Sequence, residues 1–192
     1  MTTTMTAQPQ SPPVDEIHLA GEARLNAEAF GELYRRHVTR VYRYHLAHTG
    51  NVKDAEDLTS QTFMAALEGI RSFRGEAPFA AWLMGIASRK RALFFRGRRP
   101  EVPLEAALHL PTPGLPTDQA ASLRLQMDSV SRALRQISPD RAEAVTLCAF
   151  AGLTCAEAGR VLRKSEAAVK MLVSRGLQDL RERTSLALEV ER

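Results

Sequence analysis

The chain has 192 residues, 44% of them hydrophobic, and a formal net charge of +4 from 26 basic and 22 acidic residues. This length allows one full domain or two small ones, and a small domain would bury its core by packing helix on helix. Most basic residues are arginines, which favours phosphate or carboxylate partners because the guanidinium binds both through paired hydrogen bonds. No stretch reaches transmembrane length and the first twenty residues lack signal-peptide features, so we expect a cytoplasmic protein.

Residues 1–24 are predicted to be a disordered tail. They are rich in Thr, Gln and Pro and offer little apolar surface to offset the entropy lost on ordering. From Leu25, apolar residues recur at steps of three and four up to Gly50, which predicts a long helix that ends at this glycine. Asn51 is then a typical cap for the next helix.

The second predicted helix spans Val52 to Ile70, with Leu58, Phe63 and Leu67 among the residues expected in the core. Three carboxylates crowd its first half: Asp54, Glu56 and Asp57. Carboxylates repel DNA, so this patch indicates a protein partner. It is a weak candidate for catalysis because no histidine, cysteine or metal-ligand set accompanies it.

The third predicted helix runs from Ala77 to Arg99 and ends at a Gly-Arg-Arg-Pro sequence. Its pattern predicts that Leu93 is buried, together with Phe79 and Trp82, and that Met84 and Phe95 face outward. No acidic residue interrupts the basic ones, which are Arg89, Lys90, Arg91, Arg96, Arg98 and Arg99. Such a surface would bind phosphates with a steep salt dependence. An exposed Phe95 would suit stacking on an unpaired base, and a surface phenylalanine resting on a loop is the alternative.

Residues 100–120 hold five of the ten prolines and are predicted to be a linker. A second helical block covers residues 121–187, and residues 188–192 are a short C-terminal tail. Within this block, Thr154 and Glu157 form a capping-box pattern, and Ser165 is placed to cap another helix after a short break. Two short helices joined in this way predict a helix-turn-helix.

The last predicted helix has two distinct faces. Val169, Val173, Gly176 and Leu180 form a stripe that is expected to pack on the preceding helix. The opposite face is small and polar enough at its N-terminal end to enter a major groove, and an ordinary solvated face is the alternative. It carries Ala167, Lys170, Met171, Ser174 and Gln178, with Arg175 and Arg181 at its edges.

Metal and redox sites are not predicted. Cys148 and Cys155 lie seven positions apart without a second pair or a His run, so we interpret them as reduced, structural thiols. His45 and His48 share a helix, but the sequence shows no further ligands for a metal. We therefore expect no cofactor.

Two stretches resemble the domains of bacterial sigma factors of the extracytoplasmic-function (ECF) group, in the sigma-70 family. FGELYRRHVTRVYRYHLAHTGNVKDAEDLTSQTFMAAL, followed by FRGEAPFAAWLMGIA, is similar to their first domain, and LRQISPDRAEAVTLCAFAGLTCAEAGRVLRKSEAAVKMLVSRGLQDLRE is similar to their second. The resemblance covers residues 28–185. It implies an all-α fold in which a helical bundle (residues 25–99) and a helix-turn-helix domain are joined by a flexible Pro-rich linker.

The resemblance also implies three sets of binding residues. The segment that docks on the clamp helices of core RNA polymerase is matched by Asp54, Glu56, Asp57, Leu58, Gln61 and Phe63. The loop and helix that open the minus-ten element and capture a flipped base are matched by Phe73, Arg74, Gly75, Phe79, Arg89, Lys90, Arg91, Phe95 and Arg96. The helix that reads the minus-thirty-five element is matched by Ser165, Ala167, Lys170, Met171, Ser174 and Arg175.

Four residues depart from common family choices, so the resemblance does not define the promoter sequence. Arg89 stands where Asn is frequent, Leu93 where Asp is frequent, Leu172 where Arg is frequent and Gln61 where Glu is frequent. Base-edge readout depends on the side chain present. The resemblance implies a non-enzymatic subunit that binds core RNA polymerase, brings it to promoter DNA and assists melting. It also implies an anti-sigma factor as a partner. A stand-alone helix-turn-helix regulator and an enzyme acting on nucleic acid are the competing hypotheses.

The linker length is consistent with binding at two promoter elements. Two elements about two helical turns apart are separated by ~70 Å, and about twenty residues reach ~66–72 Å when fully extended. The linker would then be nearly taut. In solution the same segment would average ~25 Å, so we expect a compact or variable arrangement away from polymerase.

Overall fold

The structure, a computed structural model, describes residues 14–97 and 117–190, and the side chains of residues 16–97 and 127–183. Within these ranges all regular structure is helical, which confirms the predicted all-α class. The helices are α1 (Val14–Glu22), α2 (Ala27–Thr49), α3 (Val52–Gly69), α4 (Phe79–Gly97), α5 (Thr117–Gln136), α6 (Pro139–Val145), α7 (Cys155–Leu162) and α8 (Glu166–Val190). A 3-10 turn (Ile70–Ser72) follows α3 and a π-helical turn (Thr146–Phe150) follows α6. We call α1–α4 the first domain and α5–α8 the second domain.

Helices α2 and α3 form a hairpin whose turn was predicted from two residues. Gly50 is left-handed (φ 67°), a conformation that glycine adopts without strain, and its N–H donates to the carbonyl of Leu46 at 2.9 Å. The Asn51 side chain accepts a hydrogen bond from the N–H of Asp54 at 3.1 Å and so caps α3. The predicted helix end and the predicted cap are both confirmed.

The core of the first domain corrects three predictions about burial. Met84, predicted to face outward, is fully buried because α4 packs against α2 and α3 and also against α7 of the second domain. Leu67 and Leu93, predicted to be buried, are 51% and 57% exposed. Helical periodicity identifies an apolar stripe but does not decide which of its edges a neighbour covers.

The predicted disordered tail is wrong from residue 14 onward. Helix α1 packs on α2, Ala20 within it and Ala23 just after it are buried, and the Glu16 carboxylate lies 3.1 Å from Nε2 of His37. Each alanine supplies little hydrophobic area, so the composition of this segment did not reveal α1. The helix is stabilised by its tertiary packing. Residues 1–13 lie outside the described part of the chain.

The second domain begins earlier than predicted. Helix α5 starts at Thr117, so the last four residues of the predicted linker (117–120) are helical, and residues 98–116 are outside the description. The helix-turn-helix is confirmed as α7 and α8. Thr154 caps α7, with its side chain accepting from the N–H of Glu157 at 3.2 Å and the Glu157 carboxylate accepting from the N–H of Thr154 at 2.8 Å.

Close backbone approaches in the helix-turn-helix depend on glycine. A Cβ on Gly159 would lie 2.7 Å from the carbonyl oxygen of Lys164, and one on Gly176 would lie 2.7 Å from Cγ2 of Val145. Val169, a member of the predicted stripe, is fully buried. The stripe predicted for the last helix therefore does face the rest of the second domain.

The two domains pack directly on one another. Helix α5 and the π-helical turn contact α2, and α7 contacts α4. Ala47 of α2 packs with Leu134, Ile137 and Ala142, and one apolar core extends from the first domain to Val169 in the second. Among the described residues, no helix is long and apolar enough to cross a membrane.

Candidate functional site

The exposed side of α3 combines acidic, polar and apolar residues. Its members, which we call the docking face, are Glu56, Asp57, Gln61, Met64 and Leu67. Met64 is 64% exposed and lies seven residues after Asp57, so both project from the same side of the helix. Sequence reasoning did not assign Met64, although its spacing from Asp57 and Gln61 was a usable signal.

Two residues of the predicted docking set are not on this face. Leu58 and Phe63 are buried, and the Phe63 ring packs edge-to-face on Tyr34 with 4.6 Å between ring centroids. In this structure Leu58 is buried and Phe63 packs against α2, and a contact of either residue with polymerase stays a prediction. Asp54 is half-buried at the start of α3.

The loop before α4 exposes its tip and buries its ends. Phe73 and Phe79 are 4% and 1% exposed, with their ring centroids 5.5 Å apart, so in this structure both belong to the core, and their contact with a flipped base stays a prediction. Between them lies the loop tip, which we define as Arg74, Gly75 and Glu76. The Arg74 and Glu76 side chains are 82% and 78% exposed, and Gly75 is left-handed with φ 73°. Buried aromatics thus anchor a polar tip.

The basic residues of α4 differ in their exposure. Arg89 and Arg96 are exposed, while Lys90 is half-buried. Phe95, predicted to face outward, is half-buried and packs edge-to-face on Phe94 with 5.2 Å between ring centroids. This arrangement keeps a cationic surface along the second half of α4. Arg98 and Arg99 lie outside the described residues.

The N-terminal half of α8 presents the predicted outward face. All its members are exposed, and we call them the recognition face: Ala167, Lys170, Met171, Ser174 and Arg175. The Ser165 hydroxyl accepts from the N–H of Ala168 at 3.2 Å and caps the helix. Lys170 pairs with Glu166 at 2.7 Å, and this hydrogen bond raises the pKa of the lysine. Leu172, one of the departures from the family pattern, packs against the core and does not belong to this face.

Arg91, predicted to bind DNA, is engaged between the domains. Its guanidinium lies 3.0 Å from the Glu143 carboxylate of α6, and its Nε donates to the hydroxyl oxygen of Tyr44 at 3.0 Å. Glu143 also accepts hydrogen bonds from Tyr44 at 2.6 Å and from the Ser88 hydroxyl at 2.7 Å. His48 lies 3.3 Å away. We call these five residues the Glu143 cluster.

Sequence reasoning missed the Glu143 cluster. Glu143 is an acid among buried neighbours, since Ala142, Ala144 and Val145 are all in the core. A carboxylate at such a position requires a cation or several donors nearby. That requirement was a readable signal, but its partners come from another domain and could not be named from the sequence.

The charges in this cluster follow from its burial. Burial by itself would raise the pKa of Glu143, but the contacts of His48 and the charge of Arg91 outweigh this and lower the pKa to about 2. Burial also lowers the pKa of His48, which favours the neutral form of this ring at pH 7. The cation paired with Glu143 is therefore Arg91.

The two histidines considered as metal ligands have structural partners. His45 Nε2 lies 3.0 Å from the Thr62 hydroxyl, and His48 Nε2 lies 2.9 Å from the Thr146 hydroxyl. Within the described ranges, no group of three or more His, Cys, Asp and Glu side chains is arranged to hold a metal ion. Cys148 and Cys155 are free, half-buried thiols.

Comparisons with known proteins match both domains. Residues 33–100 match the family model described as sigma-70 region 2, and residues 127–180 match the model described as sigma-70, region 4. The ECF RNA polymerase sigma factor BldN of Streptomyces coelicolor is 35% identical over 84% of this chain, which spans 61% of the length of BldN. The RNA polymerase sigma factor CarQ of Myxococcus xanthus is 32% identical over 86% of this chain and 95% of CarQ.

The fold is also similar to a solved sigma factor structure. The structure of CnrH in complex with the cytosolic domain of CnrY covers 93% of this chain and 99% of its own, with a TM-score of 0.70 and 27% identity. Region 2 and region 4 therefore correspond to the first and second domains, in the predicted order. The chain belongs to the sigma-70 family of RNA polymerase sigma factors, in its ECF group.

Proposed function

We propose that the chain is a sigma factor that binds core RNA polymerase, directs it to specific promoters and assists promoter melting, and that it performs no catalysis itself. Such a role places it in the cytoplasm, with polymerase and promoter DNA as partners. One observation carries the proposal: the two matched domains present a carboxylate-bearing face on α3 and separate cationic faces on α4 and α8. An enzyme-binding surface and two DNA-binding surfaces are what the role requires.

The docking face is proposed to bind polymerase. Glu56, Asp57 and Gln61 offer charge and hydrogen bonding, and the neighbouring Met64 and Leu67 add exposed apolar area. Interfaces gain affinity from a desolvated apolar centre with polar groups around it. This composition suits a protein partner and does not suit DNA.

The loop tip and the α4 surface are proposed to act at the minus-ten element. Arg74 at the tip and Arg89 and Arg96 on α4 are all exposed and cationic. Cations beside a rigid loop can hold the backbone of a strand whose bases leave the stack. The recognition face of α8, preceded by its Ser165 cap, is proposed to enter the major groove at the minus-thirty-five element.

An anti-sigma factor is proposed as the regulator. CnrH, the structural relative, was solved with the cytosolic domain of CnrY bound, and this chain shares its overall arrangement. Domains packed as closely as those described here cannot occupy promoter elements ~70 Å apart. A protein that stabilises the packed arrangement would therefore prevent promoter binding.

Run-off transcription with purified core polymerase on a promoter library tests the proposal. We expect transcripts that depend on the added chain, from templates sharing two sequence elements at constant spacing. A chain that binds DNA without polymerase at a palindromic site would instead be a stand-alone regulator.

A charge reversal tests the docking face. Asp57→Arg is expected to abolish binding to core polymerase in a pull-down while leaving the circular dichroism spectrum unchanged, because Asp57 is exposed. Glu22→Arg is the matched control, since it reverses an exposed carboxylate at the end of α1. Unchanged polymerase binding by Asp57→Arg would contradict the assignment.

A further inference from the structure

The Glu143 carboxylate connects region 4 to region 2 more closely than ordinary surface packing does. Its side chain is 7% exposed, and it accepts from Tyr44 and Ser88, which belong to α2 and α4 of the other domain. A buried carboxylate is stable only when a cation and donors surround it. Region 2 supplies all of these donors, with Arg91 as the cation.

Arg91 lies on the same helix as Arg89 and Arg96, the α4 cations proposed to bind DNA, and it belongs to the minus-ten set that the family resemblance implies. Its neighbours in sequence are Arg89, which is exposed, and Lys90, which is half-buried. A guanidinium uses the same planar donors for a carboxylate and for a phosphate. In the packed arrangement Glu143 neutralises this guanidinium and region 4 leaves the Arg91 side chain only 25% exposed, so a phosphate cannot pair with it until region 4 moves away.

A second contact from region 4 reaches the other part of the minus-ten surface. The Arg160 guanidinium of α7 donates to the carbonyl oxygen of Glu76 at 2.6 Å, at the loop tip. Helix α7 also packs along α4. The packed arrangement therefore engages the loop tip and one α4 cation, Arg91, together.

We propose that Glu143 is an internal competitor of promoter DNA, whose carboxylate occupies Arg91 in the packed arrangement and must be withdrawn before Arg91 can bind a phosphate. This inference rests on the proposed function, because it takes the α4 surface as the DNA-binding one. Glu143, which lies outside the recognition face of region 4, thus restrains the free protein in addition to the apolar contacts between the domains. The separation of the domains and the release of Arg91 become a single event.

The test replaces the carboxylate by its neutral isostere. Glu143→Gln keeps the size of the side chain and removes the charge that pairs with Arg91. Asp179→Asn is the matched control, because Asp179 pairs with Arg141 at 2.7 Å entirely within region 4 and the change alters the net charge by the same amount. Both full-length variants are compared with wild type by small-angle X-ray scattering and by fluorescence anisotropy with a labelled 20-nucleotide single-stranded DNA of mixed sequence.

Two results are expected together. The radius of gyration of Glu143→Gln rises by several Å over that of wild type, whose compact value for this length is about 16 Å plus the contribution of its tails. Its affinity for the single-stranded DNA increases at least about threefold, because a larger fraction of molecules has Arg91 free. Asp179→Asn has the same radius of gyration as wild type. Its affinity for the single-stranded DNA increases less than the affinity of Glu143→Gln does.

Several outcomes would overturn the inference. An unchanged radius for Glu143→Gln would show that the carboxylate does not hold the domains together, and equal gains in DNA affinity for both variants would show a general charge effect. If Glu143→Gln fails to fold, Tyr44→Phe removes one hydrogen bond to Glu143 from the region 2 side, and it must show a smaller change in the same direction. None of these measurements uses polymerase, so a failure of the proposed function in run-off transcription is distinguishable from a failure of this inference.

Discussion

At the residue scale, function depends on whether each charged side chain already has a partner within the protein and on how buried that partner is. Lys170 on the recognition face is exposed and pairs with Glu166 in the same helix, one turn earlier. Exposed pairs of this kind contribute little to stability and exchange readily for a stronger partner. Arg91 differs, because its carboxylate partner is buried in another domain.

Lys170→Ala is expected to weaken binding of the second domain to minus-thirty-five DNA by about 1 kcal/mol or more. The change removes one cation from the recognition face, and the salt dependence of binding should fall accordingly if the lysine contacts a phosphate. Fluorescence anisotropy on promoter duplexes at several salt concentrations measures both effects. Lys53→Ala, on α3, is the control and should behave as wild type.

His45 gives the free energy of unfolding a dependence on pH. Burial lowers its pKa from 6.5 to about 3, so between these values the unfolded state binds a proton that the folded state does not. The free energy of unfolding therefore falls as pH decreases from 6.5 toward 3, by about 1.4 kcal/mol per pH unit. His48, whose pKa burial also lowers, acts in the same direction.

Urea unfolding at pH 7 and pH 5 checks this prediction. The loss of stability between the two pH values should be smaller by about 2 kcal/mol in His45→Gln than in wild type, because glutamine does not titrate. His18→Gln, which replaces an exposed histidine on α1, is the control. An identical loss in wild type and His45→Gln would contradict the buried, neutral state of His45.

At the element scale, the helix ends were the most predictable features. The Gly50 and Asn51 turn and the Thr154 capping box are local patterns, and each forms the expected hydrogen bonds. Burial along each helix was less predictable. Met84 and Leu93 exchanged their expected environments because the cover on α4 comes partly from another domain.

Two glycines in helix interiors should respond oppositely to alanine. In α7, the Cβ of Gly159→Ala would lie 2.7 Å from a backbone oxygen, so the turn of the helix-turn-helix must shift and thermal stability should fall. In α4, Gly85 has no such neighbour within 4 Å, and Gly85→Ala should stabilise the protein by about 0.5–1 kcal/mol. Thermal unfolding of both variants measures this, and a loss of stability in Gly85→Ala would contradict the open environment.

At the scale of the whole molecule, the distance between the two domains differs between the packed arrangement and the promoter-bound state. The described arrangement joins α2 to α5 and α4 to α7, whereas two promoter elements would hold the domains ~70 Å apart. The segment between α4 and α5 must span that distance when both elements are bound. Its length therefore limits activity.

Deleting residues 103–110 is expected to abolish transcription that requires both promoter elements. The thirteen remaining residues of the predicted linker reach only ~43–47 Å, which is shorter than the required span. Replacing the same eight residues by Gly and Ser preserves length and should preserve transcription. Run-off assays compare the two variants, and activity in the deletion variant would mean that the elements are bound in another geometry.

The sequence by itself determined the helical class, the two domains and the helix-turn-helix, because helix periodicity, capping residues and glycine stops act over a few positions. It also indicated the acidic residues of α3 and the recognition face of α8, whose exposed residues follow from helical spacing. Only the tertiary structure decided that Leu58, Phe63, Phe73 and Phe79 are buried and that α1 is part of the fold. The pairing of Glu143 with Arg91 likewise joins residues 52 positions apart, because contacts between domains depend on how complete surfaces meet and leave no local pattern in the chain.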